Sequence, residues 1–171
     1  MHSTRLTQDQ IREYLVRSYT AVDGLWFMKA EEQFGFDKAL EIDTLVWEVM
    51  PKIQARQLKS FLGVDSGLDG LRICYSEKLS LDGFDFQILS SPPPPSKVEL
   101  GAEMKIRIVF CPWYDKLVRS NRSHLATAIG KRICAAEYSA WAKEFGCRFE
   151  FGEEGRLCEG SHVCVLKFRE L

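Results

Sequence analysis

The chain has 171 residues, of which 46% are hydrophobic and 27% charged, and a formal net charge of −1. That length and balance predict one globular domain with its own core, and the near-neutral charge excludes general nucleic-acid affinity. The opening residues Met1–Gln10 lack the apolar centre of a signal peptide and no stretch approaches a membrane span, so a cytoplasmic, membrane-free protein is expected.

In chain order, Thr7 and Gln10 have the spacing of a capping box, and Ile11, Tyr14, Leu15 and Ser18 mark one face of the helix it opens. Asp23-Gly24 predicts the start of a second helix ending at Gly35. Asp37 predicts the cap of a third, running toward Gly63 and kinked or divided at Pro51. Leu71–Tyr75 and Phe84–Leu89 read as strands, with Gly70 and Asp82-Gly83 supplying the turn chemistry. The proline-rich stretch 90–96 predicts an extended surface connector. Met104–Phe110 alternates apolar with charged residues and reads as a half-buried strand. One long helix is expected from Asn121 or Ser123 to just before Gly146, with Leu125, Ile129, Ile133, Ala136 and Ala140 as its sheet-facing stripe. Cys147–Phe151 and Val163–Phe168 read as the last strands. The order predicts a single α+β domain, residues 1–63 helical and 64–171 sheet plus long helix. In it, N-terminal helices and the long C-terminal helix pack on a four- or five-stranded, mainly antiparallel sheet.

Four of the six cysteines each stand beside a different element signal. Cys111 closes a strand before Pro112, Cys134 lies within the long helix, and Cys158 and Cys164 flank a polar turn. In a reducing compartment such thiols are free or metal ligands rather than a disulfide framework. If the fold brings Cys111, Cys134, Cys158 and Cys164 together, soft sulfur ligands select zinc, or alternatively an iron–sulfur cluster. The alternatives are a reactive thiol, four small core hydrophobes, or a disulfide. Cys74 and Cys147 are expected to lie outside the group, Cys74 on a strand face and Cys147 with Phe149 and Phe151. His162, between Cys158 and Cys164, is an alternate ligand. His2 and His124 are weaker candidates, at a chain end and in the first turn of a helix.

Gly130, Cys134, Glu137, Tyr138 and Trp141 share a second face of the long helix, so Glu137 is placed to serve whatever Cys134 touches, as ligand or general base. Its alternative is a solvated helix glutamate. Asp43, one turn before Trp47 among apolar neighbours, is a second candidate base. Trp26, Trp47, Trp113 and Trp141 are candidate pocket residues for a small molecule, with core packing as the alternative. No hydrolytic triad order, phosphate loop or Cys-x-x-Cys pair appears.

The combination Val22-Asp-Gly-Leu-Trp-Phe27, Ala39-x-x-x-Asp43-x-x-x-Trp47, Cys111-Pro112, Arg122, Gly130, Cys134 and a last Cys164 resembles a family of uncharacterised bacterial and archaeal cytosolic proteins. That family is itself similar to L-2-amino-thiazoline-4-carboxylic acid hydrolase. The stretch Glu154-x-x-x-Cys158-x-x-x-x-x-Cys164 more distantly resembles the 4-vinyl reductase domain, a small-molecule-binding domain that in some sensory proteins holds zinc through cysteines and a glutamate. The second resemblance implies Cys134, Glu154, Cys158 and Cys164 as ligands, and the first adds Cys111. Together these readings predict a small-molecule-binding protein with a cysteine-rich metal site beside an aromatic pocket. The alternatives are a hydrolase of a small cyclic amidine or amide, with Asp43 or Glu137 as base, and a metal-free interaction module. A small-molecule ligand and a homodimer are the partners to look for.

Overall fold

The computed structural model describes residues 4–91 and 103–171. The capping box at Thr7 closes as expected, Gln10 N–H donating to Thr7 Oγ1 (3.2 Å) and Thr7 N–H to Gln10 Oε1 (2.9 Å). It opens helix α1, Gln8–Phe34, which runs through Asp23-Gly24 without a break and ends at Gly35 with φ 82°. The expected second helix start is therefore corrected. A glycine inside a helix costs only about 1 kcal/mol, less than interrupting the helical bonds on both sides of it.

Helices α2, Phe36–Trp47, and α3, Met50–Leu62, are separate, and Pro51 stands in the first turn of α3. There its missing N–H is one that a helix start leaves unbonded in any case, so the proline begins a helix. Helix α4, Leu68–Asp82, occupies the segment expected to hold a strand at Leu71–Tyr75. Five alternating residues resemble a strand, but Leu71, Cys74, Tyr75, Lys78 and Leu79 are buried at the three- and four-residue steps of a helix. Gly70 is obligatory there because a Cβ would lie 1.9 Å from the Asp65 carbonyl oxygen.

Strands β1, Asp85–Ser91, β2, Glu103–Phe110, β3, Cys147–Phe151, and β4, Cys164–Glu170, form a four-stranded sheet in the order β1-β2-β4-β3. Every pairing is antiparallel, with Ile106 opposite Ile88 on one side and Leu166 on the other. The α+β class and the antiparallel sheet are as expected. Beyond Ser91, the proline-rich connector lies outside the described residues.

Between β2 and β3 the expected long helix runs unbroken over residues 123–144, but its winding changes along the way, and a separate helix precedes it. Helix α5, Pro112–Arg119, follows Cys111 directly and is followed by a 3₁₀ turn at Ser123–Leu125. The short helix α6, Ala126–Ile129, then passes into a π-turn at Gly130–Cys134 and on into helix α7, Ala135–Glu144. A last 3₁₀ turn, Leu157–Glu159, precedes β4.

The chain forms two compact units that part between Asp43 and Thr44, within α2. In the first, Phe27 and Phe36 meet edge to face with ring centres 6.0 Å apart. In the second, Leu71, Tyr75 and Leu79 of α4 and Tyr138, Trp141 and Ala142 of α7 share one core with Ile106, Ile108, Leu166 and Phe168 of the sheet. Among the described residues, no helix is long and apolar enough to cross a membrane.

Candidate functional site

The second unit gathers Cys111, Cys134, Cys158 and Cys164. Cys111 leaves β2 and is the N-cap of α5. No formed cap hydrogen bond involves its sulfur, yet the N–H groups of Trp113 and Tyr114 face it and favour its thiolate. Burial outweighs them and pushes the thiol up to about 11, with Cys164 and Glu137 adding to the rise. Cys164, the first residue of β4, accepts a hydrogen bond from Leu157 N–H at 3.1 Å. Burial raises its pKa; the N–H donors of Leu157 and Cys158 oppose that rise and the neighbouring Cys158 thiol adds to it.

Cys134 ends the π-turn. Its pKa is driven well up by burial first, then by the charges of Glu137, Cys111, Cys158 and Cys164, so its sulfur is within electrostatic reach of all three other thiols. Cys158 sits in the 3₁₀ turn before β4. Burial raises its pKa too, while Arg156 and Lys131 pull the other way.

Gly130 is what lets the turn and the helix come together. A Cβ built there would lie 2.6 Å from Cys158 Sγ and 3.9 Å from Cys134 Sγ, so both sulfurs lie over one glycine. The Thr127 hydroxyl donates to the Cys158 carbonyl at 2.7 Å and fixes the same contact. Among the described residues, no three His, Cys, Asp or Glu side chains stand so that they could hold a metal ion as placed. The remaining cysteines are elsewhere: Cys147 is buried on β3, and Cys74 is buried on α4 rather than on a strand.

Behind Cys134 lies a buried charged group. Glu137 and Lys78 form a close ion pair, and Lys78 Nζ also reaches Asp82 at 3.2 Å. Burial alone would lower the Lys78 pKa, but the two carboxylates raise it above its ordinary value and keep it charged. Glu137 is thus not a solvated helix residue. The Tyr75 ring meets the Tyr138 ring edge-on at 6.2 Å and the Trp141 ring at 5.0 Å, and its buried hydroxyl has no hydrogen-bond partner among the described residues.

The other candidates are dispersed. Glu154 and His162 are exposed, and His124 lies in the 3₁₀ turn after α5. Trp141 is fully buried in the core. Trp47 and Trp113 pack edge to face at 6.0 Å, two residues beyond Cys111. In the first unit, Asp43 is half-buried on α2, and Trp26 lines an open apolar hollow of about 460 Å³ with Val22, Leu25, Lys29, Ala30 and Phe34. Residues the sequence reading passed over are Lys78, Asp82 and Tyr75. Their i, i+3, i+7 spacing is a helical signal, hidden by an expected strand that ends at Tyr75. None of the curated proteins matches the chain. Residues 4–152 match the family of unknown function DUF6125, and the chain belongs to that family.

Proposed function

We propose that the protein binds a small molecule beside a metal site whose ligands are the thiolates of Cys111, Cys134, Cys158 and Cys164, with zinc ahead of an iron–sulfur cluster. The observation that carries this reading is the gathering of four thiols from a strand end, a π-turn, a 3₁₀ turn and a strand start, none of them paired in a disulfide. Sulfurs packed together in a desolvated place repel one another as thiolates, and a divalent cation removes that repulsion. Backbone N–H groups beside Cys111 and Cys164 are the kind of support that metal-bound sulfur uses. Glu137 is the carboxylate that acts on the Cys134 thiol, and its ion pair with Lys78 holds it in place. Trp113, half-buried and packed edge to face on the buried Trp47, supplies aromatic surface two residues beyond Cys111 for an organic ligand.

Elemental analysis of protein purified without oxygen tests the reading. About one zinc per chain in a colourless protein is expected, whereas iron with visible absorbance would indicate the cluster instead. Cys134→Ala and Cys164→Ala should each release the metal, and Cys147→Ala should retain it. A wild-type chain with well under one equivalent of any transition metal, and unable to take up zinc, overturns the reading.

A further inference from the structure

Along α1 the apolar side chains fall on two faces. Phe27 turns toward Phe36 and Ala30 is buried, which accounts for one of them. The other is a stripe, Ile11, Leu15, Ser18, Val22, Leu25 and Lys29, whose members recur at alternating steps of four and three residues. That is the pattern of a coiled-coil seam, in which each seam side chain enters a hole between four residues of a second helix. Leu15, Val22 and Leu25, with Tyr14 and Trp26 at the margins of the stripe, are each more than half exposed.

The shape of the stripe says what fits it. The open hollow of about 460 Å³ on α1 has Val22, Leu25, Trp26 and Lys29 in its lining, and residues at i, i+3, i+4 and i+7 are the four that bound one such hole. The alternation of four and three reads the same in both directions. A second copy of α1 laid antiparallel, about a two-fold axis at the level of Thr20, therefore sets Leu15 opposite Leu25, Ser18 opposite Val22 and Ile11 opposite Lys29. In that register the side chain that enters the hollow is Leu15 of the other copy. A parallel pair would instead put Lys29 against Lys29 in one layer. The antiparallel pair leaves Lys29 at the end of the seam, where its ammonium reaches water and keeps its ion pair with Glu32 at 2.7 Å.

The area is also sufficient. Tyr14, Leu15, Val22, Leu25 and Trp26 together expose roughly 600 Å² per copy at the areas such side chains carry. A standard interface buries about 800 Å² per partner, of which about three-fifths is apolar, so the stripe meets that apolar share by itself. We propose that the protein is a homodimer joined through α1, the two copies of the helix antiparallel and Leu15 of each seated in the hollow between Val22, Leu25, Trp26 and Lys29 of the other.

Sedimentation equilibrium of the full chain over a range of concentrations tests this, with a dimer expected for the wild type. Leu15→Glu and Leu25→Lys change exposed positions of the helix and should leave the circular dichroism unaltered. Each alone sets an unpaired charge against a leucine twice per dimer, and the dissociation constant should rise roughly 100-fold or more. Mixed in equal amounts, the two variants should recover the dimer, because the new carboxylate of one faces the new ammonium of the other while the leucines they keep meet at the second contact. Failure to recover on mixing overturns the antiparallel pairing, and a dimer that neither substitution weakens lies on another face and overturns the proposal outright. So does a wild type that is monomeric at every concentration, whether Leu25→Cys is then alkylated freely, leaving the stripe bare, or is protected by the rest of the chain. Should either charged variant lose helicity, Val22→Gln is the milder change on the same stripe, and a dissociation constant that does not rise roughly 10-fold overturns the proposal equally.

Discussion

At Gly130 a single methyl group would land 2.6 Å from the Cys158 sulfur, too close for the turn and helix to keep their present approach. Gly130→Ala should destabilise the chain by about 1–3 kcal/mol through overpacking, as chemical denaturation would show, and lower the zinc content of the proposed four-thiol site. Gly24 is the opposite case, a glycine inside α1 with nothing within 4 Å of its missing Cβ. Gly24→Ala should stabilise by about 0.5–1 kcal/mol, visible as a higher Tm. Cys147 is also instructive, being buried and donating only a long contact to the Phe145 carbonyl at 3.7 Å. Cys147→Ala should cost about 1 kcal/mol of packing and leave the metal content unchanged, so loss of metal in this variant would count against the four-thiol assignment.

Among the elements, α4 and α7 are joined by an ion pair in the middle of an apolar core. Lys78→Met leaves the buried Glu137 and the half-buried Asp82 without their cation and should destabilise by about 3–5 kcal/mol, whereas Lys78→Met with Glu137→Leu should recover part of that loss in urea unfolding. The same helices show how far the sequence could be read. Local chemistry was legible: the Thr7–Gln10 cap, the break before Pro51, the left-handed Gly83, and Cys147–Phe151 as a strand. Helix α4 was not, because Leu71, Ile73 and Tyr75 alternate like a strand over too short a window to reveal the 3.6-residue period. Nor was α5, whose eight residues follow Cys111-Pro112, a pair that equally suits a strand end. In the expected stripe Ile133 and Ala140 are buried but Leu125, Ile129 and Ala136 only half so, while Glu137, Tyr138 and Trp141 on the adjacent face are all buried. The thiol grouping was open to inference because each cysteine abutted a recognisable element. The pairing of Lys78 with Glu137 and of Tyr75 with Tyr138 was not, because these residues lie far apart in sequence and become neighbours only through tertiary packing.

For the whole molecule, the raised thiols link stability to pH. A thiol whose pKa is higher folded than unfolded contributes its full stability below the unfolded value, and loses it as the pH climbs to the folded value. Cys111 moves from an ordinary 9.0 to about 11, and Cys134 moves in the same direction. Metal-free protein should therefore lose stability progressively from about pH 9 upward, and Cys111→Ala should flatten that decline in denaturation midpoints measured across the alkaline range. The π-turn has a consequence of another kind. An α-helix advances about 100° per residue, and the wider turn at Gly130–Cys134 accommodates one residue more than regular winding would. It works as a phase adjuster, letting Thr127 of α6 and Gly130 at the head of the turn face Cys158 while α7 presents Tyr138 and Trp141 to the core. Removing one residue from this turn would restore regular winding and rotate one segment against the other by about 100°. Either the sulfurs or the core would then lose its registry, which makes the length of the turn, beyond the identity of its residues, a heritable specification of the protein.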